Sequence, residues 1–74
     1  MRVRVMVPDL PGSLARILAI VAAAEANILD VDHDRAPARL EFGQASVGIV
    51  AETRGFDHVM AILDAIRAGG FVVQ

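Results

Sequence analysis

Two residue types that carry much protein chemistry are missing from this sequence. None of the 74 residues is a cysteine, which excludes disulfide bonds and thiolate metal ligands. None is a lysine either, because all seven basic residues are arginines. A pyridoxal-phosphate enzyme needs a lysine for its Schiff base, so we expect this chain to be no such enzyme and to carry no cofactor.

Aromatic residues, clustered cations and long apolar runs are also scarce. The chain has no tryptophan or tyrosine, three phenylalanines and a net charge of −2. A nucleic-acid surface needs clustered cations and stacking aromatics, and a membrane helix needs ~20 consecutive apolar residues. The chain also starts directly in a strand pattern, without a signal peptide. We therefore expect no nucleic-acid or membrane partner, and a cytoplasmic location.

Apolar side chains, by contrast, are abundant for so short a chain. They make up 55% of the sequence, and a single domain spanning residues 1–74 can bury only a limited share of its surface. The excess predicts a surface that pairs with another copy, giving a homodimer or a higher homo-oligomer.

The apolar periodicity predicts a βαββαβ order of elements. Apolar residues at helical spacing predict helices over about residues 12–25 and 56–68. Alternating apolar residues predict four strands, at about residues 2–7, 27–35, 41–53 and 71–73. Residues 36–39 form a connection, and Gly43 and Gly48 suggest a bulge or a close backbone approach. This order is typical of the α+β ferredoxin-like sandwich, a four-stranded antiparallel sheet with both helices on one face.

The second predicted strand shows no clean buried face. Strict alternation places on one face Asn27, Leu29, Val31, His33 and Arg35, and on the other Ile28, Asp30, Asp32 and Asp34. The distal half is therefore expected to be exposed or to lie at an interface. A histidine among aspartates would suit a metal ion, but the alternation points the carboxylates away from His33, so we predict a solvated face and no metal site.

The stretch from Pro8 to Leu14 joins the first strand to the first helix and carries the candidate site. Its Gly12 permits close approach to the backbone, and the first helical amides, from about Gly12 to Leu14, suit a carboxylate. Asp9 would suit an ammonium group, so the stretch suits a free amino acid. Asp9 and Ser13 are also common caps of a helix start, and the residues alone leave both interpretations open.

The pattern Asp9-x-Pro11-Gly12-x-Leu14, followed by Ala26-Asn27-Ile28, resembles the ACT domain, the small amino-acid-sensing module of metabolic enzymes. The run from Asn27 to Ala36 is similar to the C-terminal regulatory domain of short-form threonine dehydratase (threonine ammonia-lyase). The resemblance implies an amino-acid effector, isoleucine or valine, bound at the first strand–helix turn and at a subunit interface. The ligand-binding residues that it implies are Asp9, Leu10, Pro11, Gly12, Ser13, Leu14, Asn27 and Ile28.

One position departs from the family pattern. Gly-Ala-Asn is usual at the end of the first helix, whereas this chain has Glu25-Ala26-Asn27. A glutamate in the left-handed region costs about 1 kcal/mol or more. The set Asp9, Gly12 and Asn27 therefore favours a ligand-binding regulatory module, whereas Glu25 favours a structural dimerisation module that has lost its ligand.

Overall fold

The computed structural model describes residues 1–34 and 43–74. Its elements are β1 (Arg2–Pro8), α1 (Ser13–Ala23), β2 (Asn27–Asp34), β3 (Gln44–Glu52), α2 (Phe56–Ala68) and β4 (Val72–Val73). Within these two ranges, four strands form one antiparallel sheet in the order β2-β3-β1-β4. The predicted ferredoxin-like fold is confirmed. The predicted strand residues 35, 41 and 42 and the connection 36–39 lie outside the described residues.

The core lies between the helices and one face of the sheet. The inward side chains of the two central strands are buried: Val3, Val5, Val7, Ala45, Val47, Ile49 and Ala51. The helices cover them with Ile17 and Val21 from α1 and with Ile62 and Ile66 from α2. These positions fit a period of two along the strands and a period of 3.6 along the helices. Among the described residues, no helix is long and apolar enough to span a membrane.

A polar network crosses the other face of the sheet. The Arg4 guanidinium donates to Ser46 Oγ at 2.7 Å and to Asp32 Oδ2 at 2.8 Å. This bridge passes directly over Gly48, where an added Cβ would lie 2.6 Å from both Arg4 Nη2 and Asp32 Oδ2. The close approach predicted at Gly48 is therefore confirmed, whereas Gly43 lies in the turn before β3.

A β-bulge corrects the predicted faces of β2. Ile28 pairs with Ala51 and Asp30 with Val50, so the intervening Leu29 is an extra residue on β2. Ile28 and Val31 consequently both face the helices and pack against the core, which strict alternation does not allow. Leu29 itself is 58% exposed. The strand therefore has a half-buried face. Strict alternation does not predict this face, because the bulge shifts the alternation by one residue.

The end of α1 is also different from its prediction. The helix ends at Ala23, not Glu25, because Glu25 adopts a left-handed φ of 68°. The Glu25 amide donates to Ala22 O at 2.9 Å and the Ala26 amide to Val21 O at 3.4 Å, the two hydrogen bonds of a Schellman turn. Glu25 thus adopts the conformation that usually favours glycine. At the far end of the chain, β4 starts at Val72, because the Phe71 amide donates to Ile66 O at 3.3 Å in the turn after α2.

Candidate functional site

A cleft of about 410 Å³ opens at the turn between β1 and α1. Its lining residues are Pro8, Asp9, Leu10, Pro11, Gly12, Ser13, Leu14 and His33. Six of the eight predicted ligand-binding residues therefore lie together, all from one continuous stretch. The volume lies in the range of about 300–1,000 Å³ that is usual for small-molecule sites.

Backbone hydrogen bonds hold the floor of this cleft. The Asp9 amide donates to Gly43 O at 2.8 Å, which ties the end of β1 to the turn that precedes β3. The Leu10 amide donates to Pro8 O at 2.9 Å and the Ser13 amide to Leu10 O at 3.2 Å. The resulting tight turn leaves the Leu10 side chain 66% exposed beside the cleft.

The N-terminus of α1 faces this turn with a glycine cap. Gly12 is the N-cap at a φ of 87°, and no side-chain hydrogen bond caps the helix. The first helical hydrogen bond runs from the Arg16 amide to Gly12 O at 3.0 Å, so the amides of Leu14 and Ala15 precede the hydrogen-bonded ladder. Gly12, and not Asp9 or Ser13, therefore occupies the N-cap position of α1.

The two remaining predicted residues lie at the other end of the sheet. Asn27 starts β2 opposite Glu52, and its Nδ2 donates to Glu52 Oε1 at 2.7 Å. Pro8, which borders the cleft, pairs with Gln44 at the opposite end of β3. These points are the two ends of the nine-residue strand β3, and its eight steps correspond to about 26 Å at the usual rise of a strand. Asn27 and the half-buried Ile28 therefore do not line the cleft of their own chain.

His33 lines the cleft although it is not one of the eight residues predicted from the sequence. It pairs with the inward-facing Val47, so its side chain is on the helix side of the sheet. The three aspartates of β2 lie on the other face, and the described ranges contain no group of three or more metal-ligating side chains. Alternation had indicated the separation from the aspartates, but only the fold brings residue 33 next to residues 8–14.

The second histidine has a structural role. His58 Nδ1 accepts a hydrogen bond from the Arg54 amide at 2.9 Å, so Nε2 carries the ring proton and donates to Ala24 O at 2.7 Å. The ring thereby joins the start of α2 to the end of α1. Arg54 also contacts Glu25 Oε2 at 3.0 Å, so the same loop contacts the left-handed residue.

Comparison with known proteins decides the family. The family model of the ACT domain matches residues 1–68. The chain belongs to the ACT domain family. ACT domains are regulatory amino-acid-binding domains. Two curated relatives are L-threonine ammonia-lyases, one from Geobacter sulfurreducens with 38% identity over 74 residues and one from Thermotoga maritima with 35% identity over 72 residues.

These relatives are much longer proteins than this ACT domain. The alignments cover 100% and 97% of the chain but only 18% of each relative. Two solved structures share the fold with a TM-score of 0.70 and cover 99% of the chain. One is a protein from Bacteroides thetaiotaomicron, at 16% identity and 44% of its own length. The other is prephenate dehydratase from Streptococcus mutans, at 17% identity and 39% of its own length.

Proposed function

We propose that this ACT domain senses a free amino acid for an enzyme of amino-acid metabolism related to threonine ammonia-lyase. The observation that carries the proposal is the cleft at the β1–α1 turn, where a left-handed glycine cap leaves the helix start open. Family membership supports it, because ACT domains are regulatory modules. We propose isoleucine or valine as the effector, because their uncharged side chains suit the exposed Leu10.

The chemistry of the cleft matches the two charges of an amino acid. The carboxylate would accept hydrogen bonds from the backbone amides of Gly12 and Leu14, since the Ser13 amide already donates to Leu10 O, and the helix dipole adds to the attraction. Asp9 would face the ammonium group. Leu10 and Pro11 would contact the side chain of the effector, so this end of the cleft would select amino acids by the size and polarity of their side chains.

A second copy of the chain completes the proposed site. Asn27 is about 26 Å along the sheet from the cleft, several times the length of a free amino acid. If Asn27 binds the same effector, it must do so from a neighbouring domain. Effector binding would then stabilise the dimer, and it would regulate an attached enzyme through its different affinities for two assembly states.

The alternative function, a structural dimerisation module that has lost its ligand, is less well supported. It depended on Glu25 as a sign that the turn before Asn27 had changed. The turn is a complete Schellman motif, with Glu25 in the position that glycine usually takes. We also propose that the chain itself is not catalytic, since it contains no lysine for pyridoxal phosphate.

A thermal-shift screen of the twenty L-amino acids tests the proposal. An effector that binds only the folded domain at about 100 times its Kd should raise the free energy of unfolding by ~2.7 kcal/mol. We expect isoleucine or valine to raise the Tm and charged amino acids to leave it unchanged. Calorimetry should then give the same Kd. A Tm that none of the twenty amino acids raises would contradict the proposal.

A further inference from the structure

His33 lies at the cleft whereas its immediate neighbours in sequence face away from it. Asp32 pairs with Gly48 on the open face of the sheet and forms an ion pair with Arg4. Asp34 pairs with Ser46 on the same open face. Among the described residues, His33 is therefore the one member of β2 that lines the cleft, opposite the stretch from Pro8 to Leu14.

The bulge at Leu29 decides which side chain of β2 reaches the cleft. Ile28 faces the helices, and uninterrupted alternation from it would direct Asp30, Asp32 and Asp34 to the same side. The extra residue reverses that order, so an imidazole replaces carboxylates on the helix side. A carboxylate there would repel a bound carboxylate, whereas an imidazole N–H can donate a hydrogen bond to it.

We propose that His33 binds the carboxylate of the amino-acid effector from the β2 side of the cleft. The inference rests on the proposed function and adds a residue to it. The effector's carboxylate would lie between the imidazole of His33 and the backbone at the start of α1. The domain would consequently distinguish a free amino acid from its carboxamide, which carries no negative charge for His33 to recognise.

The contrast between the two histidines supports this role. Both ring nitrogens of His58 are hydrogen bonded within the chain. In the ranges 1–34 and 43–74, by contrast, the His33 ring makes no hydrogen bond or ion pair. His33 is also exposed, so its ring is accessible to a small molecule in the cleft.

Calorimetry on three variants tests the inference. The probes are those of the twenty L-amino acids that raise the Tm of the wild type, together with the carboxamide of each. His33→Ala removes the donor and His33→Asp places a carboxylate at the same position. Asp30→Asn is the matched control, because it alters β2 on the opposite face, where Asp30 pairs with Val50.

We expect His33→Ala to weaken binding of the amino acid by about ten- to a hundredfold, as for a lost hydrogen bond to a charged group. His33→Asp should weaken it further, and Asp30→Asn should leave it unchanged. The carboxamide should bind weakly and equally to the wild type, His33→Ala and Asp30→Asn. With ¹⁵N-labelled histidine, saturation with the amino acid should shift the ring resonances of His33 and leave those of His58 in place.

Two results would overturn the inference and are distinguishable from failure of the proposed function. The first is wild-type affinity in His33→Ala; the second is tighter binding by His33→Asp than by His33→Ala, which would place the ammonium group at residue 33. In both cases the wild type still binds an amino acid, so the proposed function stands. A wild type that binds none of the twenty amino acids overturns both.

Discussion

Gly12 gives the cleft its shape through its backbone. Its φ of 87° is one that L side chains rarely adopt, yet a Cβ built on it would meet no atom within 4 Å. Glycine is thus required at this position by its left-handed backbone conformation, and not because a neighbouring atom of the chain would clash with a Cβ. In the proposed pose, the open space next to it belongs to the effector.

The variant Gly12→Ala should lower both the free energy of unfolding and the affinity for the amino acid. The strain of a left-handed alanine is about 1–2 kcal/mol. Gly70→Ala is the matched control, because Gly70 has a φ of 90° and equally open surroundings but lies after α2. Urea denaturation should show similar destabilisation in the two variants, and calorimetry should show weaker binding in Gly12→Ala alone. Equal affinities in the two variants would place the effector away from Gly12.

Sequence reasoning found the residues of the turn because they are contiguous. Proline, glycine and the start of a helical period are local signals, and the stretch from Pro8 to Leu14 contains all of them. His33 carries no such signal. It reaches the cleft through the register of β2 on β3, and register depends on pairing partners that lie far away in sequence.

The strand β2 illustrates how one extra residue changes an interpretation. In β1 and β3 the side chains that face the helices alternate strictly and are buried, although β3 also buries Ser46 on the open face. In β2 the bulge separates two segments that each alternate correctly but are out of phase. A hydrophobic pattern read with a constant period therefore assigns Ile28 to the wrong face.

Deletion of Leu29 should preserve the faces of β2. Without the extra residue, Ile28, Val31 and His33 would alternate regularly against β3, with the same partners as now. We expect the free energy of unfolding to change by no more than about 1 kcal/mol, since Leu29 is exposed and the ladder gains regularity.

Deletion of Asp32 provides the contrasting variant. Removing a residue after Val31 would turn His33 to the open face and would break the ion pair with Arg4. Chemical denaturation should show a clearly larger loss of stability, and amino-acid binding should fall as well. Similar stabilities for the two deletions would show that the bulge is not what shifts the alternation of the β2 side chains between the two faces of the sheet.

The domain leaves large apolar side chains exposed in a 74-residue chain that is 55% hydrophobic. Large apolar side chains are exposed at several separate places: Leu10, Leu29, Phe56, Met60 and Val72. Leu29 lies on β2, which is an edge strand of the sheet formed by residues 1–34 and 43–74, and edge strands invite pairing with another chain. These features support the proposed dimer, which light scattering at micromolar concentration should detect. A monomer under those conditions would contradict it.

Mixing two variants that each bind the effector weakly should restore binding if the site is shared between two copies of the chain. Asp9→Ala would remove the contact to the ammonium group, and Asn27→Ala would remove the contribution of the neighbouring domain. Each variant alone should bind the amino acid at least about tenfold more weakly than the wild type.

In a mixed dimer, one of the two sites would combine the intact Asp9 of one copy with the intact Asn27 of the other. After unfolding and refolding together, half of the dimers are mixed, so calorimetry should detect about one quarter of the wild-type number of sites at wild-type affinity. The control is Asp9→Ala refolded with itself, which should bind at no site with wild-type affinity. If mixing restores nothing while each variant still forms dimers, the effector is bound within one chain, and the 26 Å between Asn27 and the cleft then removes Asn27 from the site.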